Sequence, residues 1–156
     1  VTSGGAGTMG FALPAAMGAK LGAPQKQVVA VIGDGGYQMT VQELGTIMQY
    51  KIPVKILVLN NSFLGMVRQW QQLFHEKRYS FTEMVNPDFI KIAEAYSIPA
   101  KRVSKREELQ GVLKEMLDAT TSYFVEVVVG REDNVFPMVP AGGCVSDVLL
   151  EPPPIA

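Results

Sequence analysis

Two short apolar runs constrain what this chain can fold into. Residues 28–32 and 54–59 are rich in β-branched side chains, and each run ends abruptly in polar residues or glycine. Such runs are typical of buried strands. Between them, residues 37–50 have helical spacing, and Thr40 with Glu43 predicts a capping box at the start of that helix. Strand, helix and strand predict a βαβ unit with two parallel strands and a right-handed crossover.

The rest of the chain continues this alternation of elements. The spacing of apolar residues predicts further helices at residues 13–21 and 66–74, from residue 86 onward, and after a second capping box at residues 104–107. Apolar runs predict further strands at residues 98–103 and 123–129, and residues 75–85 are expected to form a mobile loop. Four strands that alternate with helices indicate an α/β fold, doubly wound, with a mainly parallel sheet and helices on both faces.

Composition agrees with one domain that has a buried sheet. Residues 1–150 are predicted to form the domain, and residues 151–156, which include three prolines, a flexible tail. Hydrophobic residues make up 47% and charged residues 19%, which suits a sheet covered on both faces. The net charge of −1 gives no reason to expect nucleic acid or membrane as a partner. The single Cys144 excludes an internal disulfide framework.

Polar residues follow each of the first two predicted strands. Asp34 lies among Gly33, Gly35 and Gly36 after the first strand, and Asn61 follows the second. The carboxyl ends of parallel strands meet at one edge of a sheet, where open α/β folds bind ligands. Glycines let backbone N–H groups approach an anion closely. Carboxylate and amide oxygens suit Mg²⁺, whose shell is completed by phosphate and water, so this edge is predicted to bind a magnesium-bridged diphosphate.

A Gly-Asp-Gly run, followed one helix and one strand later by the Asn60-Asn61 pair, resembles the thiamine-diphosphate signature. Three further stretches, at residues 3–16, 60–71 and 136–143, resemble the catalytic subunit of acetohydroxyacid synthase, also called acetolactate synthase. The resemblance covers nearly the whole chain, but only the last part of that enzyme. It implies the thiamine-diphosphate-binding fold without its first strand, which would precede Val1.

The resemblance assigns roles to individual residues. Met9 matches a bulky residue that lies beneath thiamine diphosphate and holds its two rings in a V shape. The backbone carbonyl of Phe63 is implied as the third protein ligand of Mg²⁺, beside Asp34 and Asn61. The helix start after Phe63 is implied to face the diphosphate. The residues implied to bind the cofactor are Met9, Gly33, Asp34, Gly35, Gly36, Asn61, Phe63, Leu64, Gly65 and Met66.

The resemblance also implies a reaction. Pyruvate loses CO₂ on the cofactor, and the remaining two-carbon unit joins a second 2-ketoacid, pyruvate or 2-ketobutyrate, giving acetolactate or acetohydroxybutyrate. This is the first common step of branched-chain amino-acid synthesis. Trp70 matches a residue of the substrate channel that contacts the second ketoacid, favours 2-ketobutyrate, and stacks on sulfonylurea and imidazolinone herbicides.

Other parts of such an enzyme are expected outside this segment. The glutamate that activates the cofactor is implied on a separate N-terminal domain of the partner subunit, and FAD on a middle domain. We therefore expect no catalytic side chain here, and no activity from this segment alone. The implied assembly is a homodimer or tetramer with its active site at the subunit interface. Whether a regulatory subunit also binds is left open by the sequence. The implied location is the cytoplasm, or the plastid in a plant.

Alternative interpretations remain at this stage. Glyoxylate carboligase, pyruvate oxidase and 2-ketoacid decarboxylases share the cofactor signature. Residues 5–10 also match the G-x-G-x-x-G fingerprint of an NAD-binding Rossmann domain, although that fingerprint requires a preceding strand. A third alternative is a noncatalytic segment that only binds a cofactor or partner subunits. Gln69 and the charges of Arg68, Lys77 and Arg78 are expected to be solvated, and His75 is expected to lie at the surface.

Overall fold

The computed structural model describes residues 1–152, and their contacts divide the chain into two compact units. The first unit contains Val1–Ser62 and Val85–Val129; the second contains Phe63–Met84 and the chain from Gly130 onward. Most of the predicted flexible tail, residues 153–156, lies outside the described residues. No helix within residues 1–152 is both long and apolar enough to cross a membrane.

The described elements follow the predicted alternation. In chain order they are α1 (Ala12–Gly22), β1 (Val29–Gly33), α2 (Asp34–Gln38), α3 (Glu43–Tyr50), β2 (Lys55–Asn60), α4 (Gly65–Phe74), α5 (Phe89–Ala95), β3 (Ala100–Val103), α6 (Arg106–Asp118) and β4 (Tyr123–Val128), followed by a short 3₁₀ helix at Val145–Asp147. Helix α4 and the 3₁₀ helix belong to the second unit, and all other elements belong to the first.

The four strands form one parallel sheet in the order β1-β2-β4-β3. Val31 of β1 pairs with Leu57 of β2, which pairs with Val125 of β4. The predicted βαβ unit is therefore confirmed. Because β1 and β2 run in the same direction, the residues that follow them lie at the same edge of the sheet.

Alternate residues of the strands pack on opposite faces of the sheet, as the period of two requires. On one face, Ile32, Ile56 and Phe124 belong to a buried cluster that also includes residues of α1, α2, α3 and α5. On the other face, Val125 packs in a smaller cluster with Met116 of α6. The predicted α/β fold with helices on both faces is confirmed.

The predicted helix over residues 37–50 is wrong in its boundaries. Helix α2 begins at Asp34 and ends at Gln38, and α3 begins only at Glu43. Thr40 does not cap α3, because its hydroxyl donates to the backbone carbonyl of Gly10 at 3.1 Å. That carbonyl belongs to the glycine-rich loop before α1, so the hydroxyl holds two distant turns together instead of starting a helix.

The second predicted capping box is also wrong. Helix α6 begins at Arg106 with Lys105 at its N-cap position, and no side chain caps it. Helix α5, for which no capping residue was predicted, has a side-chain cap: Asp88 Oδ1 accepts a hydrogen bond from the backbone N–H of Ile90 at 3.2 Å. A carboxylate in this position satisfies a backbone donor that the helix itself leaves unpaired.

Tyr37 of α2 lies fully buried in the larger cluster. Its ring meets that of Phe89 edge-on, with centroids 5.2 Å apart, and lies 5.3 Å from that of Phe124. The hydroxyl has no hydrogen-bond partner among the described residues. Burial raises the pKa of this phenol far above its usual value, with a smaller contribution from Tyr96. A buried donor without a partner costs about 1–3 kcal/mol.

We therefore expect Tyr37→Phe to raise the free energy of unfolding by about 1 kcal/mol, since it removes an unsatisfied hydroxyl and keeps the ring. The matched control is Tyr123→Phe, which removes a hydroxyl that donates to Glu115 Oε1 at 2.7 Å and should lower stability. Urea unfolding of both variants measures the difference. A loss of stability in Tyr37→Phe equal to that of the control would show that the Tyr37 hydroxyl is satisfied.

Candidate functional site

Asp34 is the first residue of α2, directly after β1, and only 1% of it is exposed. Its Oδ2 accepts two hydrogen bonds, from the backbone N–H of Ser62 at 3.0 Å and from Nδ2 of Asn86 at 2.7 Å. Buried polar atoms need such partners, and two donors on one oxygen also fix how the carboxylate is turned. The predicted carboxylate thus lies at the carboxyl end of β1 in a defined orientation.

The turn after β2 supplies one of these donors. Ser62 has a φ of 59°, in the left-handed region that few non-glycine residues adopt. Its backbone N–H donates both to Asp34 Oδ2 and to Oδ1 of Asn60, each at 3.0 Å. Asn61, which lies between Asn60 and Ser62 in the sequence, is half-buried. The structure therefore places Asp34 and the turn that contains Asn61 at the same edge of the sheet.

The glycines around Asp34 differ in what surrounds them. Gly33 ends β1 with an extended backbone, and a Cβ added there would enter open space. Gly35 is buried, and a Cβ on Gly36 would make only an ordinary contact, 3.5 Å from Ile32. Packing within the described residues therefore does not require glycine at positions 33 and 36. Open space beside a buried carboxylate suits a bound group.

Met9 lies in the loop before α1, and 44% of it is exposed. The next residue, Gly10, has a φ of +86°, and a Cβ there would lie 3.0 Å from Cβ of Met39. Glycine is therefore required at position 10 by both its backbone conformation and its surroundings. Together with the bond from Thr40, this close approach fixes the loop that carries Met9 against the turn after α2.

The remaining predicted cofactor residues begin the second unit. Phe63 forms an isolated antiparallel bridge with Glu83, and Leu64 donates its backbone N–H to Thr82 at 2.8 Å. Gly65 starts α4, followed by Met66, which is 49% exposed. The roles of these four residues as cofactor ligands stay predictions.

Helix α4 buries polar side chains and exposes apolar ones. Only 4% of Arg68 and 1% of Gln69 are exposed, whereas Val67 is 50% exposed. The guanidinium of Arg68 binds Glu132 at 2.9 Å and lies 4.9 Å from the ring centroid of Phe63. The expectation that Arg68 and Gln69 are solvated is wrong, because partners elsewhere in the second unit satisfy their polar groups.

Gln69 forms a two-sided hydrogen bond with the chain after Gly130. Its Nε2 donates to the backbone carbonyl of Val135 at 2.9 Å, and its Oε1 accepts from the backbone N–H of the same residue at 2.7 Å. A primary amide is well suited to this pairing, because it offers a donor and an acceptor side by side. Gln69 therefore fastens the C-terminal segment to α4.

Trp70 lines a cavity within the second unit. The indole is half-buried and lies 4.9 Å from the ring of Phe74, centroid to centroid. The cavity measures about 460 Å³, a size that ligand pockets commonly have, and its lining residues are Val67, Trp70, Gln71, His75 and Arg78. An indole, an imidazole and a guanidinium together suit a small anion with an apolar part. His75 is exposed, as expected.

Sequence reasoning missed two side chains that hydrogen bonds connect to Asp34, one directly and one through Asn60 and Asn86. Asn86 donates directly to its carboxylate, and Glu126 accepts a hydrogen bond from Asn60 at 2.7 Å. Glu126 did leave a signal, since it is the one charged residue in the apolar run at residues 123–129. Asn86 left a weaker signal: it precedes Pro87, which favours an extended backbone and ends regular structure there.

Comparison with known proteins supports the cofactor prediction. The sequence model of the family described as "Thiamine pyrophosphate enzyme, C-terminal TPP binding domain" matches residues 1–127. The chain belongs to this family. Thiamine pyrophosphate is another name for thiamine diphosphate, so the predicted thiamine-diphosphate-binding domain is confirmed. Membership also decides against the NAD-binding alternative.

Relatives of known function narrow the comparison within the family. The chain is 51% identical to mitochondrial acetolactate synthase of Schizosaccharomyces pombe, 45% to the large subunit of acetolactate synthase isozyme 2 of Escherichia coli, and 44% to chloroplastic acetolactate synthase 2 of Nicotiana tabacum. The matches cover 96%, 96% and 97% of this chain but only 22%, 27% and 24% of the relatives. The predicted resemblance is confirmed, and the chain spans about a quarter of such proteins.

A solved structure confirms the fold independently. A thiamine diphosphate-dependent 4-hydroxybenzoylformate decarboxylase from Rhodococcus jostii is similar with a TM-score of 0.76 and 34% sequence identity. The similarity covers 81% of this chain and 24% of that protein. The α/β architecture found here is therefore shared with an enzyme that uses the same cofactor.

We expect Gln69→Glu to release the segment after Gly130, because a carboxylate keeps the acceptor for Val135 N–H but loses the donor and repels the carbonyl. A broken buried hydrogen bond of this kind costs about 1–3 kcal/mol. Gln72→Glu is the matched control, since residue 72 accepts from Arg68 and a negative charge there is favourable. Limited proteolysis should cut the segment faster in Gln69→Glu alone. Equal cleavage of both variants would contradict the assignment.

Proposed function

We propose that this chain is the thiamine-diphosphate- and Mg²⁺-binding part of the catalytic subunit of an acetohydroxyacid synthase. The observation that carries the proposal is the buried carboxylate of Asp34, held by Ser62 and Asn86 beside the turn of Asn61. The 51% identity to an acetolactate synthase supports this reaction above others within the family.

The side chains at this edge fit a magnesium-bound diphosphate. The hydrogen bonds described for the Asp34 carboxylate fall on Oδ2, so we assign Oδ1 to the cation. The amide oxygen of Asn61 is the second proposed ligand, and both are the hard oxygen donors that Mg²⁺ prefers. The backbone carbonyl of Phe63, implied by the resemblance as a third ligand, stays a prediction.

The residues of this chain bind and orient, and the cofactor contributes the reactive carbon. When bound, thiamine diphosphate supplies a nucleophilic carbon and an electron sink, which suits decarboxylation of pyruvate and joining of the remaining unit to a second 2-ketoacid. Asp34 and Asn61 would hold the diphosphate through Mg²⁺, and Met9 would contact the rings. Precise holding of this kind is itself catalytic, because it removes the entropy cost of aligning the reactants.

The remaining components are proposed from the relatives. The names "large subunit" and "catalytic subunit" support a separate regulatory subunit as partner. We propose pyruvate and 2-ketobutyrate as substrates, FAD bound outside this segment, and an active site shared between two subunits of a dimer or tetramer. Relatives are named as chloroplastic and mitochondrial, so the plastid and the mitochondrion join the cytoplasm as proposed locations.

A 2-ketoacid decarboxylase is the second candidate function. It is favoured by the structural similarity to the Rhodococcus enzyme, whose sequence identity of 34% is nevertheless lower than that of the synthases. The two functions differ in the product that forms from pyruvate alone. A synthase yields acetolactate, whereas a decarboxylase releases an aldehyde.

We expect Asp34→Ala in the full-length protein to abolish Mg²⁺-dependent binding of thiamine diphosphate, because the bridging cation loses its charged ligand. Titration calorimetry with the cofactor, at several Mg²⁺ concentrations, measures this. The control is Asp118→Ala, which removes an exposed carboxylate that pairs with Lys114 on α6. This variant should bind thiamine diphosphate as the parent does. If Asp34→Ala bound the cofactor as tightly as its parent, the proposed metal site would be wrong.

The cavity beside Trp70 supports a role in selecting the second ketoacid. An indole face next to Val67 offers apolar surface for the extra methyl group of 2-ketobutyrate, and Arg78 offers charge for a carboxylate. One methylene in an apolar pocket is worth about 1–3 kcal/mol, or 10–200-fold in specificity. The proposal that Trp70 lines the substrate channel therefore accounts for an exposed apolar surface that the fold itself does not use.

We expect Trp70→Leu in the full-length protein to keep acetolactate formation, lose most of its preference for 2-ketobutyrate, and resist sulfonylurea and imidazolinone herbicides. The measurement is the ratio of products from mixed pyruvate and 2-ketobutyrate, with and without herbicide. Phe81→Leu, at a fully exposed aromatic residue, is the control and should change neither. An unchanged ratio together with unchanged inhibition would return Trp70 to a purely structural role.

A further inference from the structure

Asn86 occupies the centre of the polar cluster around Asp34. Its Nδ2 donates to Asp34 Oδ2 at 2.7 Å and to Asn60 Oδ1 at 3.0 Å. Its own Oδ1 accepts from Nε2 of Gln38 at 2.8 Å. Both amide hydrogens and the amide oxygen are thus engaged, each with a different side chain. Asn86 is half-buried, and hydrogen bonds to both of its polar side-chain atoms fix the orientation of its amide.

We propose that Asn86 is a positioning residue that turns the Asp34 carboxylate so that Oδ1 meets Mg²⁺. This inference rests on the proposed function, since it takes Asp34 as a ligand of the metal. By donating to Oδ2, Asn86 occupies the oxygen that the metal does not use and blocks rotation of the carboxylate. A neutral amide is needed here, because a carboxylate at position 86 would face two acceptors and repel Asp34.

A second set of contacts holds Asn86 itself. Two residues along the chain, Asp88 caps α5 and also accepts from Nη2 of Arg102 at 2.9 Å. Arg102 lies on β3, directly opposite Glu126 of β4 in the sheet register. Its Nε donates to Glu126 Oε2 at 2.7 Å, and this hydrogen bond raises the pKa of Arg102 above its ordinary value. The guanidinium therefore ties the start of α5 to the centre of the sheet.

Glu126 completes a closed ring. Its other oxygen accepts from Nδ2 of Asn60 at 2.7 Å, and Asn60 in turn accepts from Asn86. The hydrogen bonds thus run from Asn86 through Asn60, Glu126 and Arg102 to Asp88, and Pro87 joins the two ends covalently. Glu126 is only 2% exposed, and burial of a carboxylate carries a desolvation cost. Orientation of the proposed metal ligand accounts for a buried carboxylate that packing of the core does not require.

The size of the expected effect follows from metal sites in general. Groups that hydrogen-bond a metal ligand commonly change metal affinity by about 10–100-fold when they are removed. We expect Asn86→Ala, which leaves the Ser62 N–H as the one described donor to Asp34 Oδ2, to weaken Mg²⁺ binding within this range. Asn86→Asp keeps an acceptor for Gln38 but replaces the donors with a negative charge, and it should weaken Mg²⁺ at least as much.

The test uses the full-length protein and measures metal binding rather than turnover. Mg²⁺ is titrated in the presence of thiamine diphosphate, and Mn²⁺ in its place reports the symmetry of the site by electron paramagnetic resonance. We expect both Asn86 variants to need about 10–100-fold more Mg²⁺ and to give an altered Mn²⁺ spectrum. Excess Mg²⁺ should restore cofactor binding in Asn86→Ala but not in Asp34→Ala. Asn134→Asp makes the same change at a half-buried residue of the second unit, and this control should resemble the parent.

The outcomes separate this inference from the proposed function. Parent-like Mg²⁺ affinity and an unchanged Mn²⁺ spectrum in folded Asn86→Ala would overturn the role of Asn86, while loss of binding in Asp34→Ala would still support the metal site. Parent-like binding in Asp34→Ala would overturn the metal site itself. If neither Asn86 variant folds, Gln38→Ala decides: a severalfold weaker Mg²⁺ affinity is expected, and an unchanged affinity would overturn the proposal.

Discussion

The parallel pairing of β1 and β2 is the constraint on which the first unit depends. Since the two strands run the same way, the residues after them, Asp34 and the turn at Ser62, are brought to one edge of the sheet. An antiparallel pair would have placed them at opposite ends. The crossover through α2 and α3 covers one face with apolar side chains, so the same connection builds the core and assembles the polar cluster. The buried carboxylate of Asp34 therefore owes its surroundings to the parallel topology of the sheet.

The sequence predicted the elements where apolar pattern alone decides them. The strands, their parallel direction and the helices on both faces follow from runs and periods that a single segment carries. The start of α3 could not be predicted this way, because Thr40 has two acceptable partners, and the backbone of Gly10 competes successfully with the helix. A capping motif states what a hydroxyl can bind locally, whereas the folded chain also offers distant acceptors.

The residues of the candidate site likewise divide into those that the local sequence predicts and those that depend on distant contacts. Asp34 and Asn61 were found because a strand end is visible in the sequence, although their roles toward Mg²⁺ stay proposals. Asn86 could not be identified because its hydrogen-bond partner Asp34 lies far away in the sequence. Gln69 was expected in solvent because polar residues in a helix usually mark its exposed face, whereas its partner Val135 is brought to it only by the fold. Both errors concern polar groups whose partners are supplied only by the tertiary fold.

The burial of polar side chains on α4 affects which of its residues can be replaced. Arg68 and Gln69 anchor this helix through polar contacts, whereas Val67 and Trp70 stay partly exposed at its surface. Substitutions of half-exposed residues usually change folding free energy little. Substitutions at the exposed positions of this helix can therefore change the lining of the cavity at little cost in folding free energy.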